Sequence, residues 1–202
     1  MKKLTNIVNN NWAVDTAHSE IGFKIRHLMI SNIRGTFKVF DASIYTTQND
    51  FTTAQIDLWI DATSLNTGNE ERDAHLKGPD FFDVVNFPQI FFVSNTISKP
   101  DKHGKHELWG DLTIKGIKKN IELCVYFGGL IDDPWGNQRA GFSVTGKINR
   151  KDWGLNWNTI LEAGGLMVGD EIELNCDLEL VDAAGKELTM ELETTNDQAT
   201  VF

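Results

Sequence analysis

Arg72, Asp73 and His75 place a guanidinium, a carboxylate and an imidazole on one short stretch of chain, just ahead of the bulky run Phe81-Phe82 and of Asn86-Phe87-Pro88. A charged trio around a histidine is the composition of an acid–base site; the same letters also suit a short helix and turn that closes one end of a barrel. The other histidines, His18, His27, His103 and His106, fall in dispersed segments. A metal-activated water needs at least three His, Cys or carboxylate ligands converging on one ion. His103-x-x-His106 is the one close pair, and its loop setting marks an exposed turn. Cys124 and Cys176 lie in alternating strand patterns, with no helix start or local histidine to stabilise a thiolate. The sequence has no GxSxG elbow and no phosphate loop, and the Gly164-Gly165 pair is too common to carry an argument. The reading is therefore of no catalytic residues, no metal ligands and no cofactor, with Arg72 and Asp73 fixing a lid to a barrel rim.

The elements that position these side chains are strands. Ile21, Phe23, Ile25 and His27 alternate with Gly22, Lys24 and Arg26, and Ala54, Ile56, Leu58 and Ile60 alternate with Gln55, Asp57, Trp59 and Asp61. Further strands are expected over 35–45, 89–97, 106–114, 120–127, 141–148 and 171–180, which makes at least eight. Turn chemistry at Lys99-Pro100-Asp101-Lys102-His103-Gly104, Lys115-Gly116 and Asp132-Asp133-Pro134-Trp135-Gly136 is short enough to join antiparallel neighbours. Long helical patterns are absent. Between 67 and 83 a short helical turn is expected, capped by Asn69 or Thr67, started by Glu70 and Glu71 and ended at Gly78-Pro79, with Phe81, Phe82 and Phe87 plugging inward.

Eight antiparallel strands without covering helices must hide an inner face and two edges, and closing into an up-and-down barrel does both. Such a barrel holds either packed side chains or one small ligand. Twelve Phe and six Trp in one domain favour a cavity. Small residues share the strand faces of the aromatics, Gly35 near Phe37 and Ser94 near Phe92, where a solid core would place branched aliphatics. A filled barrel acting as an interaction module is the bland alternative.

Composition excludes several classes. The 202 residues suffice for one domain, and 29 acidic against 19 basic residues give a net charge of −10, which repels nucleic acid over most of the surface. No run approaches the ~18 apolar residues of a membrane helix. MKKLTNIVNNNWAV lacks the continuous apolar core of a signal peptide, so a cytoplasmic location is expected. Two buried free thiols fit that compartment, with a disulfide between neighbouring strands as the minor alternative.

Several blocks resemble the YceI-like family. They are Trp12-x-x-Asp15-x-x-His18-Ser19-x-Ile21-x-Phe23-x-x-x-His27 with Gly35-x-Phe37-x-x-Phe40, then Arg72-Asp73-x-His75-Leu76-Lys77 with Phe81-Phe82-Asp83 and Pro88-x-Ile90-x-Phe92-x-Ser94. Gly110-x-Leu112-Thr113-Ile114-x-Gly116 and Ile148-Asn149-Arg150-x-Asp152-Trp153-Gly154-Leu155 with Val168-Gly169-Asp170 complete the series. The resemblance implies a lipocalin-like barrel over 12–181, between an N-terminal extension at 1–11 and an acidic tail at 182–202. It implies a long amphiphilic lipid as ligand, such as a polyisoprenoid, an isoprenoid quinone or a fatty amide or acid, bound without catalysis. Many relatives carry a signal peptide and work in the periplasm, a pattern from which this chain departs.

On this basis Phe23, Ile25, Phe37, Phe92, Leu112, Ile114 and Phe142 are expected to line the tunnel, Phe81 and Phe82 to close it, and His27, His75 or Arg150 to offer donors to a polar head group. For Arg150 a rim ion pair with Asp152 or another carboxylate is the competing role. A metal- or histidine-dependent hydrolase acting on a small amphiphile is the alternative function. A homodimer is admitted as the assembly.

Overall fold

In the computed structural model, residues 9–159 and 167–183 are described; positions 1–8, the Gly164-Gly165 pair and the tail from 184 to 202 lie outside them. Eleven strands form in chain order: β1 (Asn9–Val14), β2 (Glu20–His27), β3 (Ser31–Phe37), β4 (Phe40–Thr47), β5 (Asp50–Asp61), β6 (Leu65–Asn66), β7 (Gln89–Ile97), β8 (Lys105–Ile114), β9 (Ile117–Asp132), β10 (Gln138–Asn149) and β11 (Val168–Asp182). All pairings are antiparallel, in the order β1-β4-β5-β7-β8-β9-β10-β11, and β1 pairs with β11 to close the ring. β2, β3 and β6 prolong β1, β4 and β5 at one end, where β11 pairs with β2, β2 with β3, and β3 with β6. The wall is thus an eight-strand up-and-down barrel. Helix α1 (Glu70–Lys77) lies between β6 and β7 at that prolonged end, the lid end.

Three of the eight strands are interrupted, β1 before β2, β3 before β4 and β5 before β6. The expected strand over 35–45 is split between Phe37 and Phe40, because the Ala62–Ser64 3-10 turn intrudes there. The Ser64 hydroxyl accepts from the backbone N–H of Lys38 and of Val39, replacing the ladder bonds that a continuous strand would make. The first strand breaks at 15–19, where Asp15 N–H donates to the Glu179 carbonyl and Glu179 N–H to the Ser19 hydroxyl.

α1 follows its local signals. The Asn69 side chain caps the Arg72 N–H, acidic Glu70, Glu71 and Asp73 occupy the first turn, and Gly78 ends the helix. Phe81 is buried and Phe82 half-buried beneath it. Phe87 departs from the expectation: the turn made by Phe87 N–H to the Asp83 carbonyl carries its ring outside, 36% exposed, beside the Gly116 turn.

Inward faces differ along the barrel. Trp12, Val14, Ile44, Ala140 and Leu180 are buried near the end opposite the lid, and Leu65, Phe81, Ile114, Trp153 and Leu155 near the lid. Between them Phe23, Ile25, Ile56, Leu58, Phe142 and Leu174 point inward yet are only half-buried. An inward residue keeps accessible surface only when the space before it is not filled, so the barrel is hollow.

Candidate functional site

The hollow is a cavity of about 890 Å³, bordered at the far end by Asn49–Thr52 and Pro100 and at the lid end by Asn69, Arg72, His75, Trp157 and Met167. That volume lies in the range of about 300–1,000 Å³ common for ligand pockets. β5 spans 12 residues, which at ~3.3 Å per residue and the tilt of an eight-strand barrel makes the wall about 30 Å tall. Every residue expected at the site borders this cavity: Phe23, Ile25, His27, Phe37, His75, Phe81, Phe82, Phe92, Leu112, Ile114, Phe142 and Arg150.

The bore is kept open by glycines paired with large side chains. Phe23 faces Gly35 across β2 and β3, and a β-carbon on Gly35 would meet the Phe23 ring at 2.4 Å. A β-carbon on Gly110 would meet the Phe92 ring at 2.2 Å, and one on Gly146 would meet the Leu123 side chain at 2.5 Å. Each large group therefore lies flat over a neighbouring backbone, where only glycine leaves room. The apolar wall is thin, and the axis stays free.

Aromatic contacts gather at the two ends. Near the far end Phe51 contacts Trp12 at 5.2 Å, Phe142 at 4.9 Å and Phe127 at 5.6 Å between ring centroids. Near the lid Phe37 bridges Phe23 and Phe82, and His75 stands edge-on to Phe81 and Trp157. Phe51, Phe127 and Trp157 were not foreseen. Phe127 continues the inward alternation of Leu123 and Val125 and was legible. Phe51 was not, because a register shift between Tyr45 and Thr47 disturbs strict alternation at that hairpin.

The polar groups at the lid end are unequal. Arg72 donates from Nε to the Thr67 hydroxyl at 2.7 Å and from its terminal nitrogen to the Thr67 carbonyl at 2.8 Å, while Asp73 accepts from the Thr67 N–H and hydroxyl. Both side chains pin the start of the lid, the structural role expected of them. Arg150 is 2% exposed and donates to the carbonyls of Gly169, Leu155 and Trp157 and to the Asp170 carboxylate. Burial pulls its pKa down, opposed by Asp170. These bonds engage most of its five donors and make Arg150 a clamp on the segment after β10, with Asp170 as the other carboxylate admitted for its ion pair. His75 is exposed, with Nε2 3.2 Å from the Asp80 carboxylate, and half-buried His27 borders the cavity at the end of β2.

The far end is laced by a chain of amides, Asn10 to Asn49 at 2.7 Å and Asn49 to Gln138 at 3.1 Å. On its outer side Arg139 reaches Asp15 at 2.6 Å, Asp133 at 2.8 Å and Glu179 at 2.5 Å. The Arg139 hydrogen bond holds the Asp133 carboxyl at about 2. For Asp15 burial acts upward, but bonds from Arg139 and His18 outweigh it and the pKa falls; the same bond raises that of His18. Asp15, His18 and Glu179 offer ligand atoms within 4.8 Å of one another. None of the three borders the cavity, and Arg139 bonds both carboxylates, so the group reads as a brace for the break between β1 and β2. His106, expected in an exposed turn, instead borders the cavity, with Nδ1 2.9 Å from the Ser98 carbonyl.

Cys124 and Cys176 are free. Cys176 faces the cavity, and burial pushes its thiol up to about 11. Cys124 sits between the inward residues Leu123 and Val125 and so faces outward. The alternative of a disulfide is thereby excluded, since the two thiols lie on opposite sides of the wall.

Among the described residues no helix is long and apolar enough to cross a membrane. The family model of the YceI-like domain matches residues 12–180. A UPF0312 protein of Staphylococcus aureus (strain MSSA476) is 41% identical over 170 residues, 84% of this chain and 96% of that protein. The Campylobacter jejuni YCEI protein is similar with a TM-score of 0.63 and 33% identity, over 89% of this chain and 97% of that one. BcnA of Burkholderia cenocepacia superposes with a TM-score of 0.69 at 25% identity, over 82% and 98% of the two chains. A polyisoprenoid binding domain from Saccharophagus degradans shares the fold at 14% identity, with a TM-score of 0.60 and coverage of 85% and 98%. With its barrel, its lid and nearly all its described length matched, the chain belongs to the YceI-like family.

Proposed function

We propose that this protein binds, stores or carries a long amphiphilic lipid, a polyisoprenoid, isoprenoid quinone or fatty amide or acid, in the barrel cavity without transforming it. The observation that carries the reading is the continuous apolar lining from Phe51 and Phe142 to Phe81 and Phe82 around an unfilled axis. A flexible apolar chain gains on the order of 0.8 kcal/mol per buried methylene before the cost of immobilising it, so an elongated cavity selects length. The name of the Saccharophagus degradans domain gives the same ligand class for another barrel of this fold. His27 and His75 are the side chains proposed to meet the head group, because both border the cavity at the lid end with ring nitrogens able to donate or accept. Two unpaired thiols suit a reducing compartment.

Native mass spectrometry of the folded protein, set against an organic extract of the same sample after denaturation, tests the reading. The expected result is an adduct whose mass reappears in the extract as a lipid, and prenyl-length chains that displace it better than octyl ones. Folded protein that yields no lipid and takes up neither chain overturns it.

A further inference from the structure

The lid end carries a surface that the cavity does not explain. The turn from β2 to β3 holds Leu28 and Met29 at φ of 50° and 60°, a left-handed conformation rare for such residues, and presents Met29 at 55% and Ile30 at 79% exposure. The turn is fixed rather than loose: Leu28 N–H donates to the Met167 carbonyl at 2.8 Å, Ile30 N–H to that of His27 at 3.2 Å, and Arg26 Nε to that of Met29 at 3.1 Å. His27 and Met167, which hold it, both border the cavity. Val85 and Phe87 after α1, and Ile117 after the Gly116 turn, are exposed around the same end.

Charge separates this end from the other. Arg26 and Arg34 flank the Met29-Ile30 tip on paired strands, are exposed, and make no ion pair among the described residues; Lys118 and Lys119 lie exposed at the same end, where Lys151 pairs with Asp170 at 2.8 Å and the lid adds exposed Glu70, Glu71 and Asp80. The far end also exposes apolar groups, Ile131 and Trp135, but sets them beside Asp132 and Asp133 and near Asp15 and Glu179. The arginines beside the tip therefore favour an anionic surface there, while the carboxylates of the far end repel one, in a chain whose net charge of −10 opposes such a surface overall.

We propose that the lid end docks on an anionic lipid bilayer, with Met29 and Ile30 entering the interface and Arg26 and Arg34 on the phosphates, so that a lipid passes between bilayer and cavity without crossing water. The proposal rests on the lipid-binding reading for its purpose, not for its geometry.

The test is flotation of the full chain with phosphatidylcholine vesicles, with and without phosphatidylglycerol. The expected result is co-flotation that needs phosphatidylglycerol and falls with salt. Arg26→Gln with Arg34→Gln lowers the partition coefficient by about fivefold per arginine, the equivalent of about 1 kcal/mol each. Met29→Asn with Ile30→Ser abolishes flotation while leaving the circular dichroism unchanged, since Asn tolerates the left-handed φ of position 29. Ile131→Ser with Trp135→Ser at the far end has no effect. Absence of flotation by the parent chain, full flotation of the Met29→Asn, Ile30→Ser variant, or an equal loss from the far-end pair each overturns the proposal. Extraction of the same samples keeps the two readings apart: lipid-loaded protein that does not float overturns docking alone, and empty protein that floats overturns the cavity reading alone.

Discussion

At the lid end Arg72 and Arg150 aim their guanidinium groups mainly at backbone carbonyls, those of Thr67, Leu155, Trp157 and Gly169, whereas at the far end Arg139 faces three carboxylates. Carbonyls do not titrate; carboxylates do. The same residue type therefore braces one end mainly through groups that do not titrate, with Asp170 beside Arg150 and Asp73 beside Thr67 as its acid-sensitive members, and the other through three carboxylates that fail on protonation. Arg150 is also buried, while the Arg139 cluster lies nearer to solvent, so desolvation weights the two losses differently.

Removing the buried clamp is the largest expected break. Arg150→Met leaves three carbonyls without their donor, Asp170 keeping Lys151, and costs about 3–5 kcal/mol, read as a lower urea midpoint; Arg150→Lys recovers only a fraction, because one ammonium cannot span all the acceptors. Arg139→Met costs less, about 1–2 kcal/mol near neutral pH, and the cost shrinks with added salt. The sign with pH follows from Asp133. Its folded pKa of about 2 lies below the ordinary 3.8, so its contribution is full above about 4 and is lost as the pH falls towards 2. Asp133→Asn should flatten acid unfolding across that window, and Arg150→Met should leave its slope unchanged. A steepened slope in Arg150→Met would erase the contrast between the ends.

Between the two ends, the bore offers a sharper probe. Gly35→Ala, whose added carbon meets side chains alone, forces the Phe23 ring off the wall and into the cavity. Excluding about two methylenes of a bound chain corresponds to about 1.5 kcal/mol, or roughly tenfold weaker binding of a long lipid in a displacement assay. The smallest effect is expected at the polar rim. His27→Ala and His75→Ala should each weaken a polar-headed ligand by about 1 kcal/mol and leave a pure hydrocarbon unaffected. Equal behaviour of both ligands would move the head group to the far end, beside Asn49 and Asp50.

What could be read from the sequence was what neighbouring residues decide. Alternation fixed the inward faces of β2, β5, β8 and β11, and the Asn69 cap with the Gly78 stop fixed α1, because strand period and helix capping are local properties. The cavity-lining set followed from the same alternation together with the family resemblance. The bracing did not, since Arg139 meets Asp15 across 124 positions of chain and Glu179 across 40, and no local spacing announces such a pair. Phe51 was hidden by a register shift, and Phe87 was turned outward by the left-handed φ of 50° at Asp83. The role of Arg150 depended on which carbonyls the chain after β10 brings to it, a property of three-dimensional closure.

Inward residues that remain half-buried mean that the barrel folds without completing its own interior. A resident apolar chain would then serve as missing core, stabilising the native state by RT ln(1 + [L]/Kd), about 2.7 kcal/mol at a ligand concentration one hundred times Kd. Measured melting temperature would become a report of cargo as much as of sequence, and preparations stripped of lipid would unfold earlier than those taken directly from cells. The same linkage gives a cell a means of clearing the empty form, whose larger unfolded fraction is open to proteases while the loaded form is spared.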